Sequence, residues 1–372
     1  MKTVKYAIIL FLCAALCASA VVLPIRVRAV DVSAVSALLM EADGGRVLYE
    51  KNAHSRMGPA STTKIMTALV AIENMPLDTV ITVPREACGI EGSSVYLYEG
   101  EQLTLETLLY ALMLQSANDA AVAIAIAVAG SIGAFVTMMN EKAQSLGLRD
   151  THFENPHGLD CDGHYTTACD LARIAGCALK NEVFATIVST VRKSIPMHDG
   201  TASRLLVNHN RLLRTYPDIT GVKTGYTRHT GRTLVSSAER DGIRLICVTL
   251  DDGDDWRDHR ALLDMGYEMC ERVTLCRAND TVGRVHVCGS EVGDVGVCYG
   301  AEVTVTLPRG HGEIVTGYEL PKFLYSGIKS GDHVGTARFY SGTEIIAEVE
   351  LVSMDDAPSA PKKERILPFW RK

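Results

Sequence analysis

The chain has no surplus of positive charge: 37 lysines and arginines face 44 aspartates and glutamates, for a net charge of −7. That balance argues against nucleic acid as a main partner. There is no Cys-x-x-Cys pair. Of eleven cysteines, Cys13 and Cys17 fall in the apolar N-terminal stretch, and the other nine are odd in number. Their spacings do not read as a disulfide framework, so at least one thiol stays free and several serve as small core residues. The N-terminal apolar run reads as a signal peptide, with an uncleaved membrane anchor as the alternative; Ala120 to Ala129, apolar throughout, is too short to span a bilayer and reads as a buried helix. The loop from Phe153 to His164 gathers His157, Asp160, Cys161, Asp162 and His164, but lacks the paired Cys/His spacing of structural zinc. Neither metal nor other cofactor is expected.

What is present begins with an export signal. Lys2 and Lys5 precede the apolar run Tyr6 to Ala18, and cleavage is expected after Ala20 or Ala29. Residues 1–29 are therefore set aside as a signal peptide, and the mature chain is expected outside the cytoplasm.

From there the chain alternates between strand and helix signals. Two short strands, Ala37 to Ala42 and Gly45 to Tyr49, flank Asp43-Gly44, a hairpin signal. Leu77 to Gly100 is mixed and turn-rich, and reads as a surface excursion. Helical periodicity follows over Thr104 to Gln115, Ser131 to Leu146 and Thr167 to Leu179. Later, Ile219 to Thr227, Arg232 to Arg240 and Arg244 to Leu250 read as strands, and Asp258 to Glu271 as a helix. Hairpins flanking a helical middle predict an α+β domain, an antiparallel sheet packed with helices, over residues 30–271. Beyond Arg272 the texture changes: Val282 to Val287, Glu302 to Leu307 and Thr343 to Val352 are β-rich with glycines between them, which predicts a second, smaller β-rich domain over residues 272–354. A basic and aromatic tail, 355–372, closes the chain. Its lysines, arginines, Phe369 and Trp370 suit an anionic membrane surface, and the alternative is a solvated end.

The chemistry concentrates in three short motifs. In Pro59-Ala60-Ser61-Thr62-Thr63-Lys64 the serine and lysine are three residues apart at the start of an apolar helix, so both share one face. A serine hydroxyl needs a base to become a nucleophile, and a lysine of lowered pKa can serve. Spacing alone is weak evidence, since Ser326 to Lys329 and Ser359 to Lys362 repeat it and receive no catalytic role. The second motif, Ser116-Ala117-Asn118, sits at a turn between two predicted helices. Ser116 can relay a proton there, and Asn118 can hold a substrate amide. The third, Lys223-Thr224-Gly225, lies on a predicted strand. Lys223 favours an anionic substrate, Thr224 can bond a carboxylate, and Gly225 permits close approach. The Tyr226 amide, with that of Ser61, is positioned for an oxyanion.

Taken in this order, the three motifs resemble those of penicillin-binding proteins and class A β-lactamases. The chain is similar to the low-molecular-mass penicillin-binding proteins, the serine D-alanyl-D-alanine carboxypeptidases, over about Ala37 to Ser353. Further matching stretches are Gly45 to Ala53, Asn155-Pro156-His157-Gly158-Leu159 and Gly221 to Thr227. The resemblance implies a penicillin-recognising transpeptidase-like domain followed by a β-rich domain. It implies cleavage of the terminal D-alanine from peptidoglycan stem peptides through an acyl-serine that β-lactams trap. His157 matches a family loop near the site, with a role in deacylation or shaping. Family members often end in a longer amphipathic helix than this tail provides. No Glu-x-x-Leu-Asn loop is found, which sets the class A β-lactamases aside. A D,D-endopeptidase acting on cross-links and a non-catalytic wall-binding protein remain as alternatives.

Overall fold

The computed structural model describes residues 30–197 and 202–360. The expected signal peptide (1–29) and residues 361–372 of the tail lie outside these residues.

In chain order the strands of the first domain are β1 (Ser36–Glu41), β2 (Val47–Lys51), β3 (Val80–Thr82), β4 (Gln102–Thr104), β5 (Arg192–Pro196), β6 (Ser203–Val207), β7 (Ile219–Thr227), β8 (Gly231–Arg240) and β9 (Ile243–Leu250). Its helices are α1 (Lys64–Asn74), α2 (Leu105–Leu114), α3 (Asn118–Ala129), α4 (Ile132–Ser145), α5 (Ala168–Leu179), α6 (Glu182–Ser189), the short α7 (Leu212–Thr215) and α8 (Asp255–Met269). Five strands form one antiparallel sheet in the order β2-β1-β9-β8-β7. Side chains alternate across a sheet, and both faces here are covered. A Cβ placed on Gly176 of α5 would touch Met40 and Ile246, whereas one on Gly266 of α8 would meet Leu39 and Leu245. This is why β1 is buried along its whole length instead of alternating inside and out.

Helices α1, α2 and α3 share the large core on the α5 side. Within α1 every residue from Lys64 to Ala71 is buried. Among the described residues no single helix is long and apolar enough to cross a membrane. All nine described cysteines are free.

The segment read as a surface excursion is more anchored than its composition suggests. β3 pairs with β4, and Ile81, Val83, Val95 and Leu97 enter the core. A carboxylate far along the chain holds it: Asp119 accepts from Ser94 Oγ at 2.5 Å and Leu97 N at 3.0 Å. Such a long-range staple leaves no local periodicity to read.

Past α8 come β10 (Cys270–Cys276), β11 (Thr281–Cys288), β12 (Asp294–Tyr299), β13 (Val303–Pro308), β14 (Ile314–Glu319), β15 (Phe323–Tyr325), β16 (His333–Ser341) and β17 (Glu344–Ser353). β10 pairs with β13, and the others form a six-stranded sheet in the order β14-β16-β17-β12-β11-β15. Val297, Tyr299, Ala337, Phe339 and Leu351 make its core. The mixed α+β layout with a β-rich C-terminal domain is the one the strand and helix signals indicated.

Candidate active site

The first motif does not open as a regular helix. Ala60–Thr63 forms one 3₁₀ turn, and α1 begins only at Lys64. Ala60 holds a φ of 47°, which is left-handed. Such conformations are costly for a residue with a side chain and collect at functional sites. Two glycines close on this turn. A Cβ on Gly225 of β7 would stand 2.9 Å from Ser61 N and 2.3 Å from Thr233 Oγ1. A Cβ on Gly158, whose φ is +88°, would stand 1.8 Å from the Ala60 carbonyl oxygen. Gly225 therefore admits the Ser61 turn itself against the edge strand, in addition to any ligand.

Lys64 is fully buried. Its Nζ lies 3.0 Å from Ser61 Oγ, 2.7 Å from Asn118 Oδ1 and 2.5 Å from the His157 carbonyl oxygen. Burial holds its pKa well below the ordinary lysine value; the neighbouring Lys223 lowers it further, and Asp119 opposes both. A neutral amine has two N–H bonds and one lone pair. Both carbonyl oxygens can only accept, so they take the two N–H bonds and leave the lone pair facing the Ser61 hydroxyl. The Asn118 amide is oriented by its other end, where Nδ2 donates to the Glu91 carbonyl at 2.6 Å.

Asn118 is buried, and its backbone N–H donates to the Ser93 carbonyl at 2.7 Å. Each end of its side chain keeps capacity for one further bond, which leaves room for a substrate amide. Ser116 sits at a φ of 59°, again left-handed. Its Oγ is buried without a hydrogen-bond partner among the described residues. A buried hydroxyl in a strained turn with nothing to bond is the kind of exception that marks function.

Lys223, on β7, is also fully buried and donates to the Thr224 carbonyl at 2.8 Å. Burial brings its pKa down to about 7. Thr224 and Gly225 are half-buried, while the Tyr226 side chain is exposed. β7 is the edge strand of its sheet, so alternate backbone groups along it are not paired to β8.

His157 reaches the site through its backbone, the carbonyl on Lys64. Its ring is pushed down to about 4, first by burial, then by Lys64 and His164; Nδ1 accepts from Leu159 N at 3.2 Å. The loop is shaped by Asn155, whose Oδ1 accepts from His157 N at 3.2 Å and Gly158 N at 2.6 Å. Motif reading did not single out Asn155, Gly158, Asp119 or Glu91, although the first two stood inside the matched Asn-Pro-His-Gly-Leu string. Ser326 and Ser359, the other serines of a Ser-x-x-Lys spacing, lie in the β-rich domain and in the segment that follows it, and bond each other at 3.1 Å.

A serine beside a desolvated lysine, on a helical domain closed by an antiparallel sheet, defines a serine hydrolase of the penicillin-recognising class. Comparison with known proteins narrows this. Residues 24–254 match the family described as D-alanyl-D-alanine carboxypeptidase, and residues 271–359 match the C-terminal domain of penicillin-binding protein 5. The chain belongs to the D-alanyl-D-alanine carboxypeptidase family of serine peptidases. It is 32% identical to the carboxypeptidase DacF of Bacillus subtilis over 88% of this chain and 86% of the relative. It is 33% identical to DacC of Escherichia coli over 89% and 86%. Among solved structures, penicillin-binding protein 5 from Haemophilus influenzae superposes with a TM-score of 0.67 at 27% identity, covering 88% of this chain and 98% of that one. The Streptomyces K15 DD-transpeptidase gives 0.61 at 32% identity, covering 64% and 98%.

Proposed function

We propose that Ser61 attacks the carbonyl of the penultimate D-alanine of a peptidoglycan stem peptide, and that Lys64 takes its proton. The observation that carries this reading is the Lys64 amine, buried and bonded to two carbonyl oxygens, with its remaining valence 3.0 Å from Ser61 Oγ. The amides of Ser61 and Tyr226 receive the oxyanion. The unpartnered Ser116 hydroxyl passes a proton to the departing D-alanine amine. Water then hydrolyses the acyl-serine. Asn118 aligns Lys64 and holds the substrate amide, and His157 fixes Lys64 through its carbonyl. Lys223 and Thr224 read the free carboxylate of the terminal D-alanine, and β-lactams occupy the same position and leave a stable acyl-serine.

In this reading residues 30–271 carry the chemistry, and 272–354 hold that domain at its place of work. The enzyme is exported through the signal at residues 1–29 and acts on the cell wall, with the tail touching an anionic membrane surface. Peptidoglycan ending in D-alanyl-D-alanine is the substrate supported by family membership. The deciding experiment offers purified protein a pentapeptide and a cross-linked dimer. Free D-alanine from the first, with the dimer left intact, is the expected result. Splitting of the dimer without D-alanine release would replace this reading with a D,D-endopeptidase.

A further inference from the structure

The loop carrying His157 is fastened to the nucleophile turn at a second point. His164, buried, closes this loop. Its Nδ1 accepts from the Glu154 backbone N–H at 3.0 Å. A backbone N–H can only donate, so Nδ1 is bare and Nε2 carries the proton. Nε2 then donates to Thr63 Oγ1 at 2.8 Å. Thr63 is buried, ends the 3₁₀ turn that holds Ser61, and directly precedes Lys64. One tautomer of the neutral ring satisfies both contacts, and no other protonation state does. At the same joint, a Cβ on Gly158 would lie 2.9 Å from Thr63 Oγ1, so loop and turn meet without intervening side chains. The ring is braced by Phe153, edge-on at 5.7 Å, and Asn140 clamps the Phe153 backbone N–H and carbonyl, each at 2.9 Å.

We propose that His164 is a positioning residue for the reaction: through Thr63 it sets the turn that presents Ser61 and keeps the His157 carbonyl seated on Lys64. The inference rests on Ser61 as nucleophile and Lys64 as its base. Protonation places a second N–H against that of Glu154 and undoes the joint. The titratable groups around the ring are His152, His157 and Asp160 on the same loop, the Glu154 side chain beside them, and Lys64 on α1. Burial holds the ring neutral first, His152 and Lys64 add to it, and Asp160 opposes, leaving it at about 4. His157 titrates in the same range, but its ring bonds within its own loop at Leu159. A variant at His164 therefore separates the two.

The test measures the rate of Ser61 acylation by a labelled penicillin between about pH 3.5 and 7.5, alongside thermal unfolding, for the wild type, His164→Gln and His164→Ala. The wild type is expected to lose rate on the acid side with an inflection near 4, in addition to any fall from protonating Lys64 or Lys223. His164→Gln keeps an amide N–H for Thr63 and cannot titrate. It is expected to hold its neutral-pH rate within about threefold and to lose the inflection. His164→Ala is expected to fall about fivefold or more at neutral pH, the scale of one lost hydrogen bond felt in the transition state. An unchanged inflection in His164→Gln assigns the acid limb to another group and overturns the inference, as does wild-type acylation by His164→Ala. If the alanine variant does not fold, the glutamine profile decides. A wild type that acylates elsewhere than Ser61 overturns the nucleophile assignment instead.

Discussion

The two halves of the molecule bury different things. Up to Glu271 the interior encloses Lys64, Lys223, Asp119, His164 and His259, together with many hydroxyl and amide side chains. Beyond it, among the described residues, Ser353 is the one buried polar side chain, and the interior is otherwise apolar. Burying an ionisable group costs several kcal/mol unless it is paired or gives up its charge. Lys64 and Lys223, held among carbonyls and helices instead of carboxylate partners, respond by giving up affinity for protons. Groups with lowered pKa in a cleft are what acid–base chemistry needs. The first half thus accepts a stability cost that the second avoids.

The largest test of that contrast is Lys64→Met. If Lys64 is the base, acylation by penicillin should fall by about 10²–10⁴-fold. Thermal stability should change little, since relief of a desolvated amine is offset by the Asn118 and His157 carbonyl oxygens that lose its N–H bonds. Stopped-flow acylation and calorimetry on the same samples decide it. A variant that acylates normally yet melts early would make Lys64 a structural residue and erase the difference between the halves.

A smaller effect sharpens the role of β7. Thr224→Val removes one hydrogen bond to a charged group, worth about 1.5–3 kcal/mol, or about tenfold to over a hundredfold in rate if made in the transition state. That loss should appear in kcat/KM for a peptide ending in D-alanyl-D-alanine and be largely absent for its C-terminal amide. Equal losses on both substrates would remove Thr224 from carboxylate recognition.

The halves also differ in how much the sequence disclosed. Ser61, Lys64, Ser116, Asn118 and Lys223 stood out because each motif joins a reactive residue to a local spacing, and the fold brings Ser61, Lys64 and Asn118 into direct contact. The groups that hold them were less legible. Asp119 reaches back to Ser94, and His164 to Thr63 across about a hundred residues; neither contact has a period or a local signature. In His164 the visible chemistry even pointed elsewhere, towards a metal-ligand inventory, whereas both ring nitrogens are committed to hydrogen bonds. The β-rich half showed three of its strands, Val282 to Val287, Glu302 to Leu307 and Thr343 to Val352. It hid β10, β12, β14, β15 and β16: a glycine interrupts β12, β14 and β16, β15 is three residues long, and β10 follows α8 without a break. Likewise the β5–β6 hairpin, mostly exposed and polar at its first strand, carries too little apolar pattern to be read.

The smallest expected effect on chemistry comes from damaging the second half. Phe339 is 1% exposed and stacks on Tyr299 at 6.1 Å between centroids. It lies on β16 between β14 and β17, facing Thr316 and Ala347 in register. Phe339→Ala should cost about 3–5 kcal/mol, as truncating a packed aromatic does, and that loss should fall on the β-rich half. Among the described residues the links back to the first half include Arg309 N, which donates to the Met269 carbonyl at 2.7 Å, and Arg272, which faces Asp43 and lies against Gly242. None of them touches Ser61, Lys64 or β7. Acylation at 25 °C should therefore stay within about twofold of wild type, while unfolding gains an earlier transition that leaves penicillin labelling intact. Calorimetry with labelling at each temperature reads both. Labelling that disappears together with the first transition would mean the two halves fold as one unit, and the buried charges of the first would then lean on the apolar packing of the second.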